Sequence, residues 1–128
     1  TTVPTRFSVQ VGQSIHVDLP GDVVLEEILD RYYWRFMNHS CEPNATIRGR
    51  EVHALRAIRQ WEEITFDYNT TEYDMAEPFD CRCASPRCAG RVRGFGYLSR
   101  ADQERLRRHL ASHLLTILDG ADPKARSQ

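Results

Sequence analysis

Four cysteines are the residues of this chain whose types and spacing most directly predict chemistry. Three form a tight Cys-x-Cys-x4-Cys cluster and the fourth lies far upstream: Cys41, Cys81, Cys83 and Cys88. Thiolate sulfur is a preferred zinc ligand, and a structural zinc site closes with four ligands in a tetrahedron. Three thiolates cannot close such a site, so Cys41 is the natural fourth ligand and no cysteine is left over.

Two other interpretations of the cysteines are open. A histidine is the first alternative as fourth ligand, and His39 is the nearest to Cys41 in the sequence. Two disulfides are the second, although Cys81 and Cys83 are too close for an easy mutual bridge and no export signal indicates an oxidising compartment. We therefore predict one zinc ion, whose binding energy would join two distant segments and become folding energy.

The segments that must position these residues are short and mostly extended. Alternation of apolar and polar residues predicts strands, and a Gly-Gln turn between the first two predicts a hairpin. The predicted strands are residues 7–11, 14–19, 51–58 and 63–68, and a short helix is predicted over residues 23–33. The zinc ligands thus fall on connections between small strands.

The C-terminal part of the chain has a helical pattern. Residues 99–102 form a capping-box signature, and leucines then recur every four residues: Leu106, Leu110, Leu114 and Leu118. This predicts one amphipathic helix over residues 99–119, ending near Gly120. His109 and His113 also lie four residues apart, but no third ligand follows in the pattern, so we do not expect a metal there.

Composition bounds the class of protein. The 128 residues, 41% hydrophobic and 27% charged, suit one globular domain, and no apolar run approaches the roughly 20 residues that span a bilayer. A net charge of −1 gives no overall positive potential that would attract nucleic acid. From the missing apolar run and this charge, we expect neither membrane insertion nor direct nucleic-acid binding. With no signal-peptide pattern, we expect an intracellular location, which would be cytoplasmic, or nuclear in a eukaryote.

Charge is unevenly distributed along the chain. Residues 62–80 hold seven acidic side chains and no basic ones, whereas residues 82–108 hold eight arginines. Solvated faces are one interpretation of such runs. An acidic rim that attracts a cationic substrate is the other.

Three motifs together resemble a known family. Residues 35–44, Arg-Phe-Met-Asn-His-Ser-Cys-Glu-Pro-Asn, resemble the Arg-Phe-x-Asn-His-Ser-Cys-x-Pro-Asn motif of SET-domain lysine methyltransferases. Residues 61–68 resemble that family's Gly-Glu-Glu-Ile-Thr-Phe-Asp-Tyr motif, with Trp61 in place of the glycine. Residues 81–90 are similar to its post-SET zinc segment, in which Cys41 would supply the fourth ligand.

The resemblance implies a fold and a division of the chain. The family fold is mainly β, a β-clip of small curved sheets in which the Asn-His-Ser-Cys segment and the strand before the tyrosine thread together as a pseudoknot. Here a C-terminal α-helix would be added to it. The implied parts are a SET-like core, a post-SET zinc segment, the helix and a tail: residues 5–78, 79–98, 99–119 and 120–128.

The resemblance also implies site residues. Asn38 and His39 would contact S-adenosylmethionine, and Arg35 would brace the pseudoknot or the cofactor carboxylate. Tyr68 would be the catalytic tyrosine, and Phe66, two residues earlier on the same strand face, would help to wall the substrate channel. The implied activity is methyl transfer to the lysine side chain of a protein or peptide.

Two functions from other classes are open besides that one. The first is a catalytically inactive SET-like scaffold that binds a basic peptide or forms an assembly. The second is an enzyme that uses the same pocket on a small molecule. Fold alone does not decide among them.

One family feature is not found where the motif order places it. A Gly-x-Gly strand and turn normally precede the strand that begins here at Phe7, whereas the sequence has Gly-x-Gly only at residues 94–96. The chain would be a fragment, or a partner would supply these strands, or the cofactor site would be incomplete. We expect a homodimer, or the helix over residues 99–118, to cover the open sheet edge, and we expect weak or absent S-adenosylmethionine binding by the isolated chain.

Overall fold

A computed structural model describes residues 1–20, 22–31 and 33–120 of the chain. The tail that the sequence predicts after residue 119 lies outside the described residues, apart from Gly120. Within the described part, the strands form four sheets of two strands each, and helices follow at the C-terminal end. The predicted fold class, small β-sheets with C-terminal helix, is confirmed.

The strands are short, and three of the four sheets are antiparallel hairpins. They are β1 (Val9–Gln10), β2 (His16–Val17), β3 (Asn38–His39), β4 (Ala45–Arg48), β5 (Glu51–Ala54), β6 (Thr65–Phe66), β7 (Phe79–Asp80) and β8 (Arg91–Val92). β1 pairs with β2, β4 with β5 and β7 with β8, all antiparallel, while β3 pairs with β6 in parallel. The predicted N-terminal hairpin is thus confirmed with shorter strands.

Sequence patterning predicted none of β3, β4, β7 and β8, and β4 is the longest of them. Its residues Ala45, Thr46 and Ile47 are all buried, so the alternation that marks a half-buried strand is absent.

Helix α1 spans Leu25–Arg31, within the segment for which a helix was predicted. The remaining helices are α2 (Arg100–Arg105), α3 (Ser112–Gly120) and 3₁₀ helices at Tyr33–Phe36, Tyr68–Thr70, Phe95–Tyr97 and Arg107–His109. No helix in the described ranges is long and apolar enough to cross a membrane.

The parallel pair β3–β6 joins the two motifs that lie on either side of β4 and β5. Asn38 lies opposite Thr65, and His39 lies opposite Phe66. The side chain of Asn44 locks this pairing, because its amide donates to the carbonyl of residue 63 at 2.7 Å and its oxygen accepts from the Thr65 N–H at 2.9 Å. The contact between these motifs that the family resemblance implied is therefore present.

Two apolar clusters form the core of the part of the chain that the structure describes. The first contains Met37, Ile47 and Phe66, with Val9, Trp34, Val52 and Tyr68 packed against it. The second contains Phe95, Leu114 and Leu118, with Leu98, Leu110 and Ile117 packed against it. Met37 directly precedes β3 and Phe66 is part of β6, so the first cluster supports the parallel pair directly.

The prediction of one continuous helix over residues 99–119 is wrong. The Ser99 cap is present, since its hydroxyl accepts from the Asp102 N–H, but the backbone becomes extended at Leu110, with φ −70° and ψ 138°. There the Ala111 N–H donates to the Thr70 carbonyl at 2.9 Å. The Thr46 hydroxyl donates to the carbonyl of residue 109 at 3.1 Å. Hydrogen bonds to the core thus replace helical ones, a tertiary effect that leucine spacing does not reveal.

Trp61 occupies a turn conformation that favours glycine. Its φ is 68° and its side chain is 93% exposed, so the indole contributes little burial. A left-handed conformation costs an L-residue about 1–2 kcal/mol, whereas the greater flexibility of glycine in the unfolded chain costs about 0.5–1 kcal/mol. We expect Trp61→Gly to raise the free energy of unfolding by about 0.5–1 kcal/mol in denaturant titrations.

Trp61→Ala is the matched control, because it removes the indole but keeps the Cβ that makes this φ unfavourable. Its stability should stay close to that of the wild type. A glycine variant that is less stable than the alanine variant would contradict the turn conformation described for Trp61.

Candidate zinc and methyl-transfer site

The four predicted zinc ligands lie together. The Sγ atoms of Cys41, Cys81, Cys83 and Cys88 are all within 4.8 Å of one another, and those of Cys41 and Cys81 are 3.9 Å apart. Zinc–sulfur bonds of ~2.3 Å in a tetrahedron place neighbouring sulfurs ~3.8 Å apart. None of the four is joined in a disulfide. The cluster therefore fits a structural zinc ion.

A hairpin and a tight loop bring three of these cysteines together. β7 and β8 pair antiparallel and close the loop of residues 81–90. Two backbone amides of this loop point at sulfur: the Ala89 N–H donates to Cys41 Sγ at 3.3 Å and the Gly90 N–H to Cys88 Sγ at 3.5 Å. Such donors stabilise thiolates, which are the form that binds zinc.

The cysteines differ in how easily they ionise. Burial raises the pKa of the Cys41 thiol and, to a smaller extent, that of Cys81. The pKa of Cys83 is lowered to about 7, mainly by a hydrogen bond from the backbone N–H of Ser85. A bound cation would therefore do most for the half-buried Cys41 thiolate, the ligand that ties the zinc loop to the core.

A cavity of about 800 Å³ lies beside the cysteine cluster. Four of the residues assigned to the site from the sequence line it, as do two zinc ligands: Asn38, His39, Phe66, Tyr68, Cys81 and Cys83. The structure thus brings the Asn-His motif, the tyrosine and the zinc loop to one place. The side chain of Arg35 lies outside the described residues.

Tyr68 is held by its hydroxyl and by stacked rings. The hydroxyl donates to the Met37 carbonyl at 2.6 Å, and the ring centroid lies 4.8 Å from that of Phe66 and 5.8 Å from that of Phe79. Burial raises the Tyr68 pKa, and the nearby charges of Glu72 and Glu63 raise it further. The phenol is therefore neutral, and its oxygen can still accept a hydrogen bond from an amine in the cavity.

The placement of Tyr68 differs in detail from the prediction. Phe66 ends β6, whereas Tyr68 begins the 3₁₀ helix Tyr68–Thr70, which the Asp67 side chain caps by accepting from the Asn69 N–H. The two aromatic residues are therefore not on one strand face. Their rings still meet because the chain turns at Asp67, so Phe66 walls the cavity from the buried side.

His39 is more enclosed than Asn38, the other predicted cofactor residue whose side chain the structure describes. Its side chain is 2% exposed, and burial lowers its pKa to about 4, so the imidazole is neutral at physiological pH. Its Nδ1 accepts a hydrogen bond from the Tyr68 N–H at 3.1 Å, and its Nε2 lies 3.3 Å from Cys41 Sγ. The imidazole therefore supports the site from its buried side, and only the backbone of His39 remains available to contact a cofactor.

The cavity also contains carboxylates that the sequence analysis did not single out. Glu63, Glu72 and Glu77 all line it, and the Asn38 amide donates to Glu63. Glu72 is buried, which raises its pKa, and it accepts from the Gln10 N–H at 2.9 Å. The only sequence signal was the acidic run over residues 62–80, so part of that run faces the cavity.

Comparison with known families agrees with this geometry. A family model of the SET domain matches residues 8–69, and this part of the chain therefore belongs to the SET-domain family. The match includes β3, β6 and Tyr68 and ends before the zinc loop, so the loop is assigned from its cysteines alone.

Several curated proteins are similar to the chain. Methyltransferase flvH of Aspergillus flavus is 35% identical over 95 residues, covering 70% of this chain and 47% of the relative. The Drosophila melanogaster histone-lysine N-methyltransferase ash1 is 41% identical over 68 residues, 47% of this chain and 3% of the relative. The H3 lysine-4 specific histone-lysine N-methyltransferase of Saccharomyces cerevisiae is 42% identical over 89 residues, covering 62% of this chain and 8% of the relative. The chain spans less than half the length of each relative.

Proposed function

We propose that this protein is an S-adenosylmethionine-dependent methyltransferase that acts on lysine side chains of protein, with a structural zinc ion. The observation that carries the proposal is the Tyr68 hydroxyl, fixed by the Met37 carbonyl at the wall of a cavity that Asn38 and His39 also line. Membership of the SET-domain family and relatives named as histone-lysine methyltransferases support it.

The cavity suits a cofactor and an amine substrate. Its volume of about 800 Å³ lies within the range of about 300–1,000 Å³ typical of ligand pockets. S-adenosylmethionine would supply an electrophilic methyl group on sulfur. In our proposal Asn38 and the backbone of His39 hold the cofactor, and Arg35 braces this region.

Residues that line the cavity would help to convert the substrate's ammonium group to the reactive neutral amine. A free lysine amine has a pKa near ~10.4 and is unreactive while protonated. The aromatic wall of Phe66, Tyr68 and Phe79 disfavours the charged form by desolvation. Among the described residues, the three carboxylates of the cavity outnumber its two guanidinium groups, Arg6 and Arg82, and attract the ammonium ion beforehand. The Tyr68 oxygen then orients the neutral amine, since direct displacement needs positioning more than a protein nucleophile.

The proposed organisation follows from this assignment. Residues 5–78 form the catalytic core, residues 79–98 the zinc segment and residues 99–119 the C-terminal helical part, here broken at Leu110. The substrate is a lysine-containing protein or peptide, and an intracellular, nuclear-type location is the one consistent with histone-directed relatives.

A small amine is the second candidate substrate. Among the three relatives compared above, flvH gives the longest alignment, and its name specifies no protein substrate. Competition between a lysine peptide and a small polyamine for methyl transfer separates the two. Saturation by the polyamine with no reaction of the peptide would favour the small-molecule enzyme.

Calorimetric titration with S-adenosylmethionine tests the proposal against an inactive scaffold. The proposal predicts saturable one-to-one binding that S-adenosylhomocysteine displaces. A zinc-loaded, folded protein with no heat of binding at millimolar cofactor would favour the scaffold.

Asn38→Ala should weaken S-adenosylmethionine binding by about tenfold, because one hydrogen bond to the ligand is lost. Dissociation constants from calorimetry measure the effect. Gln60→Ala is the control, since Gln60 is exposed and does not line the cavity. Equal affinities for the Asn38→Ala variant and the wild type would remove Asn38 from the cofactor site.

The N-terminal part of the chain supports the predicted homodimer. Six of its large apolar side chains are exposed: Val3, Phe7, Ile15, Val24, Leu25 and Phe36. Exposed apolar surface of this kind favours association. We expect light scattering to give twice the monomer mass at micromolar concentration and Phe36→Asp to lower it. A wild-type monomer at high concentration would contradict the prediction.

A further inference from the structure

The two ring nitrogens of His39 face two different parts of the site. Nε2 lies 3.3 Å from the sulfur of Cys41, and Nδ1 lies 3.1 Å from the backbone nitrogen of Tyr68. The side chain between them is almost fully enclosed, with 2% of its surface exposed. One imidazole thus spans from a zinc ligand to the tyrosine.

These contacts fix the tautomer of the imidazole. The Tyr68 N–H is a donor, so Nδ1 must be the unprotonated acceptor and Nε2 must carry the proton. The Nε2–H then points at Cys41 Sγ, which accepts best as a thiolate, the form that zinc binds. Asp67 Oδ1 lies 3.6 Å from Nδ1, but it already accepts from the Asn69 N–H at 2.9 Å.

The Tyr68 amide depends on a hydrogen-bond partner outside its own helix. It is the first N–H of the 3₁₀ helix Tyr68–Thr70, and the first amides of a helix have no partner inside the helix. The same residue is fixed at its other end by the hydrogen bond from its hydroxyl to Met37, two residues before His39 in the chain. His39 therefore sets where the tyrosine backbone lies relative to Met37, which directly precedes β3.

We propose that His39 is a positioning residue that couples zinc binding to the placement of Tyr68. The Cys41 thiolate orders the imidazole through Nε2–H, and the ordered Nδ1 holds the Tyr68 amide. The inference rests on the proposed zinc site and deepens the proposed function, because it makes the tyrosine depend on the metal through one side chain.

Two substitutions separate the two contacts. His39→Asn leaves a side-chain acceptor near the position of Nδ1 but no group that reaches Cys41. His39→Gln leaves an N–H donor near the position of Nε2 but no acceptor for the Tyr68 amide. A matched pair of variants thus removes one contact at a time with similar loss of volume.

Amide hydrogen exchange followed by NMR is the readout, with zinc content measured in parallel. In zinc-loaded protein, Tyr68 should exchange about tenfold faster in His39→Gln than in His39→Asn, while the asparagine variant should lose zinc more readily to a chelator. In the wild type, removing zinc should speed Tyr68 exchange by about the same factor. The Leu55 N–H, bonded to the Asn44 carbonyl at 2.8 Å, is the internal control.

Nitrogen-15 shifts of His39 give an independent test in the zinc-loaded wild type. The proposal requires the Nε2–H tautomer, and an Nδ1–H tautomer would overturn it. Equal Tyr68 exchange in the two variants would also overturn it. Neither readout needs methyl transfer, so an inactive protein that shows the coupling would contradict the proposed function and leave this inference standing.

Discussion

Tyr68→Phe is expected to lower turnover by about a hundredfold or more while leaving the affinity for S-adenosylmethionine nearly unchanged. The hydroxyl orients the amine as it becomes the nucleophile, so its contribution belongs to the transition state more than to cofactor binding. The ring itself should stay in place, because Phe66, His39 and Phe79 pack against it.

Single-turnover rates and calorimetric affinities for the same preparation measure the two effects separately. Tyr97→Phe is the matched control, because its hydroxyl bonds Asp74 at the surface and the residue does not line the cavity. A Tyr68→Phe enzyme with the wild-type rate would exclude the hydroxyl from the mechanism. A large loss of cofactor affinity with unchanged turnover would place Tyr68 in cofactor binding instead.

Cys83→Ser is the second change with a large expected effect. From Phe79 to Arg91 no side chain is fully buried, so little apolar contact holds the zinc loop without metal. Structural zinc contributes about 10–16 kcal/mol of binding energy in zinc-finger peptides, which here would be folding energy of the loop. We expect loss of zinc and of exchange protection over residues 79–92, while the β4–β5 hairpin stays protected.

Elemental analysis and hydrogen exchange measured by mass spectrometry check this expectation. Arg87→Ser is the control, since this exposed residue of the same loop is not a ligand and its replacement should retain zinc and protection. Uniform loss of protection along the whole Cys83→Ser chain would show that zinc stabilises the entire fold and not the loop alone. A fully zinc-loaded variant would remove Cys83 from the ligand set.

The zinc cluster and the pairing of the two motifs could be predicted because both depend on residue types that can be recognised in the sequence. A fourth cysteine was needed to complete the set, and Cys41 was the only one available. Strand β4 could not be predicted in the same way, because complete burial removes the alternation on which strand prediction depends. The break at Leu110 was hidden for a related reason, since backbone hydrogen bonds to the core leave the leucine spacing intact.

The orientation of the side chains within the site could not be predicted from the sequence. The Asn-His pair and Tyr68 were assigned by family resemblance, but the hydrogen bond from Tyr68 to the Met37 carbonyl involves a backbone group with no residue-type signature. The same holds for the His39 ring, whose partner on one side is the amide of Tyr68. Glu72 was missed because only the fold brings this carboxylate to the cavity.

Methyl transfer to a defined lysine is the most direct test of the proposed activity. Zinc-loaded protein would be incubated with S-adenosylmethionine well above its measured Kd and with a basic peptide that holds one lysine, and with the same peptide carrying arginine instead. We expect mass spectrometry to find methylation on the lysine of the first peptide and none on the second. Saturable cofactor binding with no methylation of any lysine peptide or protein offered, or equal methylation of both peptides, would contradict the proposed activity.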